Sequence, residues 1–325
     1  MSLVLLGFFT VLLSAMGAVL VWRAGHLLGL IDRPNERSSH HRPTPKGGGV
    51  GILAAFCYAA WALGFSPAFW VGPALLSLLS LYGDKIHLSF KLRLLAQFAA
   101  ALWFLQAIYP LAEIRITPIF VAYLAAVAVF IVGTANFYNF MDGINGIAGG
   151  TGVVGFGLLS WFAHLDGEAL PLVALPLMLS FACLAFLPFN LPKAKVFMGD
   201  VSSILLGFIF AGLVMKLADE PAEFLALVGC LFPFYADELS SMLARKWRGE
   251  SLVKAHRSHL YQVLANEGKR EHLFVSALFW LLQLFIGLMA IELRGLGWVA
   301  ELIYLGSLFL LWAALARQIK KRLVV

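Results

Sequence analysis

Polar residues interrupt this chain at such even distances that apolar runs of roughly 15–20 residues recur from one end to the other, each close to the length that crosses a bilayer's hydrocarbon core. The runs cover about 3–22, 49–64, 67–83, 93–109, 117–134, 146–163, 170–187, 203–217, 223–243, 273–291 and 297–316. Composition agrees: 61% of the residues are hydrophobic and 13% charged, with mean hydropathy +0.86. A soluble domain carries about a quarter of its residues as Asp, Glu, Lys and Arg. These values exclude a soluble globular enzyme, a disordered protein and a nucleic-acid-binding domain. The expectation is an all-α polytopic integral membrane protein of about eleven transmembrane helices, forming one domain over 1–325. Its lipid partner is the bilayer itself, and no nucleic acid is involved.

The net charge of +6 is unevenly placed. All but Arg115, Lys216 and Arg294 of the 24 Lys and Arg fall in loops on one side of the spans. By the positive-inside rule that side is cytoplasmic, the N-terminus lies outside and the C-terminal tail inside. No Lys or Arg precedes Trp22 and Arg23, so the first run reads as a retained helix and not a signal peptide. Cys57, Cys183 and Cys230 each lie in an apolar run and read as packing residues.

Five polar clusters, near 23–48, 84–92, 135–145, 188–202 and 244–272, share the cytoplasmic side. Helix centres are almost uncharged, which argues against a transporter with ionisable groups along a path. In the first cluster, Gly47, Gly48 and Gly49 let backbone approach a ligand and offer N–H groups to an anion. Arg37, His41, Arg42 and Lys46 add phosphate donors. The second places Asp84 at a span end, before Lys85, Lys91 and Arg93; alone, such an acid reads as a solvated helix end. The third, GTANFYNFMDGINGIAGG, spaces Asn136, Asn139, Asp142 and Asn145 three apart, neighbours if helical. Hard oxygens beside glycines suit Mg²⁺ completed by water and phosphate. The fourth sets Asp200 after Gly199, with Ser202 or Ser203 as candidate helix cap. The fifth holds Asp237 and Glu238, then His256, Arg257 and His259, donors suited to a diphosphate. Together the clusters suit metal-assisted phosphoryl transfer at the inner membrane face. The rival class is a non-enzymatic polytopic protein, a lipid-linked sugar flippase or solute transporter.

RPNERSSHHRPTPKGGGVGI, NFYNFMDGINGIAGG, VFMGDVSS and HRSHLYQ follow one another along the chain. In this the sequence resembles the polyprenyl-phosphate N-acetylhexosamine-1-phosphate transferases (glycosyltransferase family 4), most closely in RSSHHRPTPKGGG and HRSHLYQ the enzymes that initiate bacterial O-antigen. The resemblance implies transfer of an N-acetylaminosugar 1-phosphate from a UDP-sugar to undecaprenyl phosphate, releasing UMP. It implies Mg²⁺, with Mn²⁺ as a substitute, in a multi-pass protein of the bacterial inner membrane, and a homodimer as in relatives. By position it makes Asp200 the principal metal ligand, with Asp84 and Asp142. Asp84, Asp142, Asn139 and His259 become catalytic, and Lys46, Gly47, Gly48, Asn136, Asn145, Asp237, His256 and Arg257 bind substrate. Relatives usually carry adjacent acids where this chain has Gly83–Asp84. Tyr261 and Gln262 stand where many have further histidines.

Overall fold

The computed structural model describes residues 2–34, 39–40, 42–86, 88–109, 116–251 and 257–323, with backbone alone at 84–86. It is 77% helical. Thirteen α-helices are present among the described residues: α1 (Leu3–Ala24), α2 (Val50–Ala62), α3 (Pro67–Ile86), α4 (Phe90–Ile108), α5 (Pro118–Phe140), α6 (Ile147–Leu165), α7 (Leu170–Asn190), α8 (Asp200–Leu217), α9 (Pro221–Gly229), α10 (Phe232–Trp247), α11 (Leu260–Ala265), α12 (His272–Leu293) and α13 (Trp298–Leu323). A two-residue antiparallel ladder pairs β1 (Ile31–Asp32) with β2 (Thr44–Pro45).

Each of the eleven expected spans falls on helix. Among the described residues eight helices are long and apolar enough to cross a membrane, and nine segments qualify if α9 and α10 count as one. Val50–Ala62 and Pro67–Gly83 are apolar but shorter. The ninth expected span is not continuous: α9 and α10 meet at 85°. Pro233 in the first turn of α10 cannot extend the preceding helix. The break leaves the Cys230 carbonyl outside a helical ladder, and the buried Gln283 amide of α12 donates to it at 2.8 Å. Lipid would leave that group unsatisfied, at a cost of several kcal/mol.

α8 is the hub. Most of its side chains are buried, and it packs against α3, α5, α6 and α9. It crosses α5 closely because Gly207 has no Cβ; one there would lie 2.7 Å from Ala135 Cα and from the Thr134 carbonyl. Small residues bring helices together where no hydrophobic effect does so. α13 lies at the other extreme, with only Glu301 and Ala316 fully buried. The consequence for function is that the N-terminus of α8, the most enclosed helix, ends beneath the loop after α5.

Candidate active site

The cavity at this end of the molecule has a volume of about 270 Å³. Asn139, Asp142, Asn145, Lys46 and Asp200 all line it, together with Asp32, His40, Asn190, Phe197, Gln262 and His272. Residues from four of the five sequence clusters therefore share one pocket.

Asp200 opens α8, where the positive end of the helix dipole favours a carboxylate. Its Oδ2 accepts from Arg93 Nη1 at 2.8 Å, and its Oδ1 accepts from Asn139 Nδ2 at 3.0 Å. Asn139 also donates to Ser203 Oγ at 2.8 Å. Neither serine caps α8 as expected, since Ser202 donates to the Gly49 carbonyl and Ser203 to the Gly199 carbonyl. Gly199, at φ 77°, takes the cap position.

α5 ends at Phe140, so the three-residue spacing of the Asn/Asp series is helical only at its start. Asn136 turns inward to Gln97 of α4, at 2.7 Å, and does not line the cavity. Past the helix end Asp142 is half-buried, its carboxyl pushed up to about 7 by burial and by the charge of Asp200. Asn145 donates to the Pro192 carbonyl, and its N–H is held by His272 Nδ1 at 3.3 Å. Gly146, at φ 84°, gives its N–H to Asn190 Oδ1 at 2.6 Å, which folds this loop over the start of α6.

The first cluster corrects an expectation. Gly48 and Gly49 do not offer their N–H groups to an anion; they donate to the carbonyls of Phe197 and Met198 at 2.9 and 3.0 Å. Phe197 N–H in turn donates to the Pro45 carbonyl at 2.8 Å. The glycines bring backbone against backbone, since a Cβ on Gly48 would lie 2.6 Å from Val196. This pairing fixes Lys46 and Asp200 at the same cavity wall. Gly47, at φ 94°, makes the turn that follows Lys46.

In the fifth cluster, the structure separates the residues. His259 is buried 3.4 Å from Glu238, stacked on Tyr261, and is pushed down to about 3 by burial and by the charges of Lys320 and Arg245. It is neutral at physiological pH and does not line the cavity. Asp237 is fully buried and accepts the backbone N–H groups of Leu260 and Tyr261. Arg257 pairs with Glu267 at 2.9 Å, away from the pocket. His256, Arg37, His41 and the side chain of Asp84 lie outside the described residues.

The donor set fits a divalent cation shared with a substrate. Asp142 and Asp200 are close enough for one charge to raise the other's proton affinity, a repulsion that a cation between them would relieve. Among the described residues no three His, Cys, Asp or Glu side chains form a closed cage. Mg²⁺ commonly takes one or two carboxylates and completes its shell with phosphate and water. Sequence reasoning named both acids but gave no role to Arg93, Asn190, His272 or Gln262.

A family profile described as "Glycosyl transferase family 4" matches residues 66–218. The phospho-N-acetylmuramoyl-pentapeptide-transferase of Staphylococcus saprophyticus is 35% identical over 179 residues, 54% of this chain and 53% of the relative. A probable undecaprenyl-phosphate N-acetylglucosaminyl 1-phosphate transferase of Bacillus subtilis is 30% identical over 201 residues, 58% of this chain and 56% of the relative. The undecaprenyl-phosphate alpha-N-acetylglucosaminyl 1-phosphate transferase of Thermotoga maritima is 29% identical over 264 residues, 79% and 81% of the two chains. Against the first two, the match spans about half the length of the relative.

Proposed function

We propose that the chain is a member of glycosyl transferase family 4, whose profile matches residues 66–218, and that it transfers an N-acetylaminosugar 1-phosphate from a UDP-sugar to undecaprenyl phosphate, releasing UMP. In a cell this is the first membrane step of O-antigen or another cell-envelope polysaccharide, at the cytoplasmic face of a bacterial inner membrane. The observation that carries the reading is the convergence of Lys46, Asn139, Asp142 and Asp200, from three separate stretches of sequence, on one cavity.

The acceptor phosphate, with a second pKa near 6, is largely dianionic at neutral pH and needs no strong base. One of its oxygens forms a bond to the sugar-linked phosphorus while the bond from that phosphorus to the UMP oxygen breaks. One pyrophosphate linkage replaces another, so the reaction is close to balanced. Asp200 and Asp142 would hold Mg²⁺, or Mn²⁺ as a substitute, which when bound would supply charge neutralisation on the diphosphate. Asn139 and Arg93 hold the Asp200 carboxylate in place from two sides. Lys46 lines the same cavity and provides a positive charge for the departing UMP. The contribution of the protein is alignment and charge compensation.

Asp200→Asn keeps the hydrogen bond from Asn139 but removes the charge. UMP release from a panel of UDP-N-acetylaminosugars with undecaprenyl phosphate and Mg²⁺ should fall by about a hundredfold or more, with unchanged elution in detergent. Undiminished turnover removes Asp200 from this role. Absence of UMP from the unaltered protein with every donor, alongside movement of a lipid-linked sugar across vesicles, favours the flippase reading instead.

A further inference from the structure

The last helix makes little contact with the rest of the molecule, yet one of its charges turns inward. Arg317, Lys321 and Arg322 of α13 are exposed. Lys320 is not: its Nζ donates to Ser241 Oγ at 3.1 Å and stands 4.0 Å from Asp237 Oδ1. Asp237 is fully buried, next to Glu238, itself 2% exposed. Two adjacent acids therefore share one enclosed site at the end of the molecule that carries the cavity.

Asp237 spends its oxygens on the amides of α11. Its Oδ1 accepts the Leu260 N–H at 2.8 Å and its Oδ2 the Tyr261 N–H at 3.2 Å. These are first-turn donors that α11 cannot satisfy internally, and His259 at the cap position makes no side-chain cap bond to them. Downstream, the Tyr261 hydroxyl donates to the Phe140 carbonyl at 3.0 Å. It leaves no room for a side chain at Gly143, where a Cβ would lie 2.2 Å away. Gln262, the next residue, lines the cavity. The turn from Phe140 to Gly143 carries Asp142.

We infer that Lys320 is a positioning residue for the transferase site, acting through Asp237 to hold α11 against the loop that carries Asp142; this rests on the function proposed above. Removing the ammonium leaves two neighbouring buried carboxylates with less opposing charge. Asp237, the acid that faces the lost ammonium, then either turns toward water or takes up a proton, because an uncompensated buried charge costs more than either. In both cases it accepts the two amides less well, so α11 loosens and Tyr261 no longer fixes the loop. The C-terminal helix, which packs on α10 and α11, is thus tied to the chemistry through the Lys320 ammonium.

The test compares Lys320→Met and Lys320→Arg in the full-length protein, by amide hydrogen exchange over residues 257–266 and by steady-state kinetics with a UDP-sugar donor. In Lys320→Met, exchange at Leu260 and Tyr261 should rise about tenfold and kcat fall about tenfold, with donor KM within about twofold. Lys320→Arg should restore most of both. Unchanged exchange and unchanged kcat in Lys320→Met overturn the inference, as does a loss of thermal stability alone that arginine does not rescue. The exchange result stands whether or not the protein turns over UDP-sugars, so failure of the inference and failure of the proposed function are separable. If Lys320→Met does not fold, Asp237→Asn/Lys320→Met removes the charge with its partner and should fold; failure there also overturns it.

Discussion

Asp142 sits where its own charge is unwelcome. Burial and the Asp200 carboxylate lift its pKa from 3.8 to about 7. A carboxyl with a raised folded-state pKa favours the fold while protonated and works against it once ionised. In cation-free protein, stability should therefore fall as pH rises from about 4 to about 7. Asp142→Asn should be more stable than the unaltered protein at pH 8, by an amount on the order of 1–2 kcal/mol after allowance for the open cavity, and should unfold at a higher temperature. At pH 4 the two should coincide. Thermal unfolding in detergent at both pH values checks this; added Mg²⁺ should narrow the gap. Asp142 was legible in sequence because hard oxygens beside glycines form a compact motif, whereas Asp200 was singled out as a metal ligand only through the family resemblance. Arg93 was not, because an arginine in a cytoplasmic loop looks like any other positive-inside charge until the fold brings it to Asp200. The glycines misled for a related reason. Their freedom from side chains was visible, but whether that room admits a ligand or another strand depends on what the fold delivers.

At the level of elements, the site is built from a strand-like contact that no periodicity announces. Residues 46–49 run beside 197–198, and Gly49 is the tightest point. A Cβ there would lie 2.4 Å from Ser202 Oγ and 3.0 Å from the Met198 carbonyl. Gly49→Ala should push the first turn of α8 away and cost about 1–3 kcal/mol. Transferase activity should fall more than stability does, because Asp200 leads that turn; equal activity with normal thermal unfolding would show that α8 tolerates the shift. The helices themselves were readable from apolar length, and all eleven expected runs are helical. The angle between α9 and α10 was not readable from hydropathy, since residues on both sides are apolar. Pro233 marked where it falls.

For the whole molecule, charge asymmetry sets an orientation that helix geometry leaves open. With the N-terminus outside and the tail inside, single cysteines at Ser2 and Arg322 in a cysteine-free background should react with an impermeant thiol reagent from opposite sides of intact cells. The Ser2 position should label directly and the Arg322 position only after permeabilisation. The reverse pattern would turn the cavity away from cytoplasmic nucleotide sugars. The lengths of the apolar runs carried the helices at this level, because a bilayer restricts what an apolar chain can do.

The contact between the first loop and the start of α8 also has a bearing on biogenesis. Ser202 closes on the Gly49 carbonyl across 153 positions of chain, so the early loop leaves the ribosome long before its partner exists. Lys46 is made with that early loop, and α2 to α7 must all be synthesised before Phe197 and Asp200 follow. A nascent fragment that stops short of Phe197 can be inserted and helical and still have no pocket, which ties the onset of chemistry to the arrival of one late segment.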